Sequence, residues 1–278
     1  MKISAAIRII LFSILILILV AALVVGLAAH LFSVNTQGGH FTTSEEISVP
    51  GAQVRNLEIQ WASGSINILP GDGDVITATE AFTGSNDYPM AFAMEGDTLV
   101  ISYSDRPIRF GFNMGSFHDK DLTVLVPKDW ICDELEVSCA SADLSVTGLK
   151  AKEIQFDAAS GEGYFEDCTT DELEVSTASG NIHYIGEARQ IHCDGASAKL
   201  KLEMRATPEA IDIETASGDA LILLPENSGF TVQLHALSGD FDSDFSMAKQ
   251  KDRYICGDGA CKITFDGATG NITVNKAK

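Results

Sequence analysis

Three aspartates at alternate positions form the most metal-like pattern in this sequence. Asp240, Asp242 and Asp244 resemble the first ligands of a calcium-binding loop. Such a loop needs glycine at its sixth position and glutamate at its twelfth, where this chain has Phe245 and Lys251. The three aspartates are therefore weak calcium candidates, and an acidic turn is the better interpretation.

The histidines do not add a metal site. None of them has metal-ligand spacing to another histidine or to a cysteine, so we expect scattered surface residues and no cofactor. They are His30, His40, His118, His183, His192 and His235.

A serine recurs in one short phrase, Ala-Ser-Gly and its variants, and this repetition is the strongest signal in the chain. A nucleophilic serine would need a base and an acid beside it, and no such partners recur with the phrase. We therefore predict no catalytic residue and interpret the phrase as structural. Its central hydroxyl residues are Ser63, Ser141, Ser160, Ser179, Ser197, Ser217, Ser238 and Thr269.

Apolar residues stand at fixed distances from each hydroxyl residue. They lie six and four positions before it in every copy, and three and five positions after most copies. Spacing of two indicates a half-buried strand on each side. Because the distance between the two inner positions is odd, the phrase must be a corner that redirects the chain. We expect alanine inside the bend and glycine in an unusual backbone conformation.

A unit of about 19 residues with two short strands cannot bury its own apolar face, so the units must stack. We predict an all-β fold, a β-solenoid with one unit per coil and strands about 4.8 Å apart along its axis. A β-sandwich or meander with antiparallel pairs is the alternative.

The repeats divide the chain into segments. Residues 51–278 are predicted to form the β-repeat domain, after a polar linker at 33–50. Within the domain, residues 70–130 hold capping strands that protect an open edge. Regular coils follow at 132–243, an insertion at 244–262 and the last coil at 263–278.

Six cysteines would favour disulfides if the domain lies outside the cytoplasm, but the repeat frame opposes most pairings. Cys193 is at an inward strand position, and Cys139 is three units away, roughly 14 Å, which is too far to bridge. Cys256 and Cys261 flank a Gly-Asp-Gly turn and are the one candidate disulfide.

The residues between the inward positions should face solvent, and acids alternate there with other residues. Five positions before each hydroxyl residue, successive units read Glu136, Gln155, Glu174, His192, Asp212 and Gln233. In-register stacking would then keep most like charges about 9.6 Å apart, which favours parallel stacking. It also places His192 between Glu174 and Asp212, so we expect its pKa to be raised.

Residues 9–32 form an almost uninterrupted apolar run, long enough for a transmembrane helix. A cleaved secretory signal is the alternative, although its apolar core spans only roughly 7–15 residues. Lys2 and Arg8 precede the run, and the next basic residue is Arg55. The positive-inside rule then puts residues 1–8 in the cytoplasm and the β-repeat domain outside the cell membrane.

The chain is strongly acidic, with a formal net charge of −20. This excludes nucleic acid as an expected partner, because phosphates require lysine and arginine. It also opposes docking onto an anionic lipid surface. High negative charge keeps such a domain soluble.

The apolar N-terminal run, the strand Leu-Thr-Val-Leu-Val-Pro at 122–127 and the phrase Leu-Glu-Val-Ser-Thr-Ala-Ser-Gly-Asn-Ile at 173–182 appear together with further repeats. In this combination the chain resembles the bacterial "putative adhesin" domain family, a domain of unknown function. The resemblance covers roughly residues 50–278. It implies a right-handed, β-helix-like fold at the cell surface, and it supplies no catalytic residues.

These observations favour a non-catalytic cell-surface module for adhesin-like binding or envelope sensing, with an unknown extracellular or envelope ligand. A polysaccharide-acting β-helix enzyme and a structural spacer are the alternatives. Such an enzyme needs a carboxylate pair or a basic–acidic cluster in a groove. Basic residues are sparse in this chain, and Trp61 and Trp130 are its only tryptophans.

Overall fold

A computed structural model of the protein describes residues 41–83, 89–105, 118–251 and 253–277. Their regular structure is β-strand apart from one 3₁₀ turn, Gly51–Gln53. The strands are β1 (Thr42–Thr43), β2 (Glu46–Pro50), β3 (Asn56–Gly71), β4 (Val75–Phe82), β5 (Ala91–Glu95), β6 (Thr98–Ser102), β7 (Lys120–Pro127), β8 (Ile131–Thr147), β9 (Lys150–Ser160), β10 (Gly163–Met204), β11 (Ala210–Ser217), β12 (Ala220–Leu224), β13 (Phe230–Ser238), β14 (Phe241–Ser243), β15 (Ala248–Gln250), β16 (Arg253–Cys256), β17 (Cys261–Thr269) and β18 (Ile272–Lys276).

The predicted transmembrane helix at 9–32 lies outside the described residues, as do the tail at 1–8 and residues 33–40. Within the part of the chain that the structure describes, no helix is long and apolar enough to cross a membrane. The strands begin inside the segment predicted to be a linker, because β1 and β2 precede residue 51.

The repeats stack in parallel and in the predicted register. We name each coil after its central hydroxyl residue. The Ser63 and Ser141 coils pair with these two serines opposite each other, and Ser160 pairs likewise with Ser179. The all-β prediction is confirmed, and the coils do not form the antiparallel pairs of a sandwich.

The order of the coils departs from the sequence at both ends of the stack. The Ser63 coil lies between a rung made of β6 and β7 and the Ser141 coil. The Thr269 coil, last in the sequence, lies between the Ser217 and Ser238 coils. Near each end of the stack, strands that are distant in the sequence are therefore neighbours in space.

Antiparallel strands cover the two ends. β4 and β5 pair antiparallel with β7 and β6 at one end. At the other end β16 pairs antiparallel with the outer side of β13, while β17 pairs with the inner side. The hairpin at 244–262 thus turns the chain back, which is why the last coil is not the last rung.

The corners bend the chain, and in half of the coils the strand continues through the bend. β3, β8 and β10 include the corners at Ser63, Ser141, Ser179 and Ser197, whereas a strand ends at each of the other four corners, Ser160, Ser217, Ser238 and Thr269. In β3 the buried side of the strand includes Leu57, Ile59 and Trp61 before the kink, and Ile66 and Ile68 after it. This confirms the predicted change of face. The prediction of an alanine inside the bend is wrong for most coils, because the alanine of the phrase is only half-buried there. The residue inside the bend is the one two positions before the hydroxyl residue.

The candidate disulfide is not formed. All six cysteines are free and buried. Cys256 and Cys261 both pair with Phe230 of β13, one from each flank. They are therefore two strand spacings apart, about 9.6 Å, which exceeds the Cα separation of a disulfide.

Candidate functional site

Two of the three calcium candidates, Asp240 and Asp244, bond the Ser238 coil to the Thr269 coil. The Asp240 amide donates to Asn271 Oδ1 (3.0 Å), and Asp244 Oδ1 accepts from the Lys276 amide (2.9 Å). Asp242 is exposed on β14. Among the described residues, no group of three or more histidine, cysteine or acidic side chains is placed to hold a metal ion.

Three of the histidines are each paired with one carboxylate on the outer faces of the coils. His183 Nε2 lies 2.7 Å from Glu203 Oε1, and His235 Nδ1 lies 2.7 Å from Asp266 Oδ1. His118 uses its backbone carbonyl to accept from the Tyr103 hydroxyl. His30 and His40 lie outside the described residues.

The third paired histidine, His192, has a pKa raised to about 9. The main cause is its hydrogen bond with Asp194, whose Oδ2 lies 3.3 Å away. Glu174 and Glu214 on adjacent coils also raise the pKa, and burial opposes them. The predicted direction is confirmed, although the chief partner is Asp194 of the same strand.

Replacing His192 by glutamine should therefore destabilise the protein at pH 6 and have little effect at pH 9.5. Because the folded pKa lies above the ordinary value, the stabilisation is complete below about pH 6.5 and is lost as pH rises through about 9. Solvent screening of this half-exposed pair limits the effect at pH 6 to about 1 kcal/mol. Urea unfolding of both proteins at the two pH values tests it. An NMR titration that places the His192 pKa below 6.5 would contradict it.

An open groove of about 650 Å³ crosses the outer face of the stack just after the corners. Its floor is formed by Ile182, Leu200 and Ala220, which are buried. The outward side chains that line it come from positions two and four after the hydroxyl residue in five stacked coils. They are Glu162, Tyr164, Asn181, His183, Lys199, Lys201, Asp219, Leu221, Asn271 and Thr273.

Amide side chains satisfy the two carboxylates that line the groove. Asn181 Nδ2 donates to Glu162 Oε1 (2.8 Å) across one coil spacing. Asn271 Nδ2 donates to Asp219 Oδ1 (3.1 Å), which also accepts from the Asn271 amide (2.9 Å). The two Asn271 bonds need the Thr269 coil beside the Ser217 coil, so sequence order alone could not reveal them.

A second set of bonds fixes one of the two lysines. Glu203 Oε1 lies 2.5 Å from Lys201 Nζ and 2.7 Å from His183 Nε2. The hydrogen bond from Lys201 is the main cause that lowers the pKa of Glu203. The His183 ring also packs edge-to-face against Tyr164, with ring centroids 5.3 Å apart.

Lys199 differs from the other charged groups of the groove. Its side chain is exposed, and it makes no ion pair within the part of the chain that the structure describes. It lies between Asn181 of one neighbouring coil and Asp219 of the other. Lys199 is thus a cation available to a ligand in a chain of net charge −20.

The backbone of the groove is not available to a ligand. Leu200–Glu203 pairs with Ala220–Leu223, which pairs on its other side with Ile272–Asn275. A peptide therefore cannot add as a strand here, because that mode needs a free sheet edge. The groove can hold a ligand only through side chains: amides, an aromatic ring, hydroxyls and an ammonium group.

Residues 54–190 match the Toastrack DUF4097 family, which confirms the resemblance seen in the repeats. The match spans the coils from Ser63 to Ser179. The comparison with curated proteins gave no match.

Several solved structures are similar to this chain at low identity. A putative adhesin from Bacteroides fragilis is 13% identical with a TM-score of 0.45, covering 82% of this chain and 95% of that chain. A putative lipid binding protein from Parabacteroides distasonis is 17% identical with a TM-score of 0.39, covering 86% and 98%. A putative cell adhesion protein from Clostridium sporogenes is 10% identical with a TM-score of 0.39, covering 85% and 100%.

Proposed function

We propose that this chain, whose residues 54–190 form a Toastrack DUF4097 domain, is a non-catalytic cell-surface module that binds an envelope or extracellular ligand. The binding site is the groove after the corners. The observation that carries the proposal is the difference between the carboxylates of the groove and its exposed lysine. Its carboxylates accept hydrogen bonds from neighbouring coils, whereas Lys199 faces the open groove without an ion-pair partner among the described residues.

The same proposal includes the membrane anchor. Residues 9–32 span the cell membrane once, with residues 1–8 in the cytoplasm and the β-repeat domain outside. The length of the apolar run and the position of Lys2 and Arg8 support it. The coils wind in a right-handed sense, as parallel crossover connections do in nearly all sheets.

Binding accounts for the groove better than the two alternatives do. A hydrolase would need a carboxylic acid and a carboxylate facing one another across the ligand, but Glu162 and Asp219 are each committed to an asparagine. A spacer requires only stacked coils. It would not require an exposed lysine such as Lys199 in a groove on their outer face.

The proposal predicts that an arginine in place of Leu221 will block ligand binding. Leu221 faces outward in the groove, and a long side chain there would cross the space that a ligand needs. The purified full-length chain in detergent should bind at least one member of an immobilised panel of bacterial envelope polysaccharides. The L221R variant should bind that member at least about tenfold more weakly.

The matched control is Ile131→Arg. Ile131 is 64% exposed on β8 and does not line the groove, so this variant adds the same charge elsewhere. Equal loss of binding in both variants would count against the groove as the site. Retention of no polysaccharide by the unchanged protein would contradict the proposed function itself.

A further inference from the structure

We infer that the ligand of this groove is a mostly neutral glycan that carries isolated carboxylate groups, with Lys199 as the residue that selects the carboxylate. This inference rests on the proposed function and names the ligand class of the same site. It follows from three features of the groove: its free cation, its hydroxyl-binding side chains and the charge of the surrounding protein.

The two lysines differ in what they can offer a ligand. Lys199 and Lys201 are alternate residues of one strand, so their Cα atoms are about 6.7 Å apart. Lys201 is held by Glu203, whereas Lys199 is exposed at the centre of the groove. A single carboxylate can therefore bind Lys199 without displacing an existing ion pair. An ion pair of this kind adds a charge-assisted hydrogen bond.

The neighbours of Lys199 suit sugar hydroxyls. Asn181 donates through Nδ2 to Glu162. The Oδ1 atom of Asn181 can then accept a hydrogen bond from a ligand hydroxyl. Thr273 adds a hydroxyl that can both donate and accept. The Tyr164 hydroxyl hydrogen-bonds with Glu166, and its oxygen can still accept. Leu221 is the one apolar side chain among the outward residues, so the groove has no set of pockets for the apolar side chains of a peptide.

The overall charge limits how many anionic groups the ligand can carry. A net charge of −20 creates a repulsive field for a dense polyanion. Glu162, Asp219 and Glu203 lie around the groove as well. One free ammonium group can compensate an occasional carboxylate on a neutral chain, but it cannot compensate a charge on every sugar.

Three immobilised oligosaccharides with one common backbone test this inference. The first carries uronic acid residues at intervals, the second is its carboxyl-reduced form, and the third is densely sulfated. The full-length protein in detergent should bind the first at least about tenfold more tightly than the second, and the third more weakly than the first. Lys199→Gln should remove the difference between the first two, and Lys262→Gln should preserve it. Lys262 is an exposed lysine of β17 outside the groove.

Each other outcome overturns the inference in a recognisable way. Equal binding of the uronic and reduced forms would show that the groove recognises only the hydroxyl groups of the glycan. The inference would then be wrong, and the proposed function would stand. Preference for the sulfated form would show a polyanion site. If none of the three binds, glycan recognition at Lys199 is rejected. The L221R comparison on the envelope panel then decides the proposed function separately.

Discussion

Replacing Gly180 by alanine is expected to destabilise the protein by about 3 kcal/mol or more. A Cβ atom at this position would lie 1.9 Å from the carbonyl oxygen of Gly161 in the next coil. The backbone also has φ +146°, a conformation that other residues rarely adopt, where a side chain adds roughly 1–3 kcal/mol of strain. Relief of the clash would force the two corners apart, and overpacking of this kind costs about 1–3 kcal/mol more.

A matched control separates the clash from the strain. Gly73 also has positive φ, +96°, but a Cβ there meets nothing within 4 Å. Gly73→Ala should therefore cost only the backbone strain, roughly 1–3 kcal/mol. Urea unfolding of both variants measures the difference. Equal losses would show that the corners do not depend on close backbone approach, against the stacking described above.

Replacing Lys120 by methionine should cost about 3–5 kcal/mol, because it removes one member of a buried ion pair. Lys120 and Glu80 have side chains 3% and 0% exposed, with Lys120 Nζ 2.7 Å from Glu80 Oε2. Lys120 Nζ also donates to the Tyr103 carbonyl (2.6 Å) and lies 3.9 Å from the centre of the Tyr103 ring. This cluster joins β4 and β7 at the capped end of the stack.

The large loss in K120M would come from the Glu80 carboxylate left buried without its counter-charge. Adding Glu80→Gln to K120M should therefore recover much of the stability, since the neutral amide removes that charge. Urea unfolding of the two single variants and the double variant gives the coupling energy. A double variant that loses the sum of the two single effects would contradict the assignment. Burial is the main cause that lowers the pKa of Lys120, and the ion pair with Glu80 opposes this effect by favouring the charged lysine.

The coil register could be predicted because it repeats. Apolar residues at fixed distances from eight hydroxyls are enough to define two strands, a change of face and hydroxyl-to-hydroxyl pairing. The direction of the His192 pKa shift was predicted from that register, although its main cause is Asp194 of the same strand. Each of these predictions depends only on residues one coil apart.

The order of the coils at the ends could not be predicted, because the Thr269 and Ser238 coils carry the same pattern. Either could pair with the Ser217 coil, and only the hairpin at 244–262 decides between them. The alternation of charges assumed sequential order. In the actual order Asp194, Glu214 and Asp266 occupy consecutive coils. Burial and Asp194 raise the pKa of Glu214, and His235 compensates Asp266.

The groove was missed for the same reason. Its residues occupy outward positions that the repeat frame defines, and Lys199 and Lys201 are visible as a basic pair in an acidic chain. The binding role proposed for them also involves Asn271 and Thr273, which line the groove only because the last coil is inserted inside the stack. The signal that could have found the groove is the lysine pair at positions two and four after a corner.

The most direct test of the proposed binding without catalysis is mass spectrometry of a glycan that the protein retains. The full-length protein in detergent is incubated for a long period with the polysaccharide that it binds and L221R does not. We predict that the polysaccharide is recovered at unchanged mass. Shortened or unsaturated products that appear with the unchanged protein and are absent with L221R would contradict the proposal, and would show that the groove is the active site of a polysaccharide-acting enzyme.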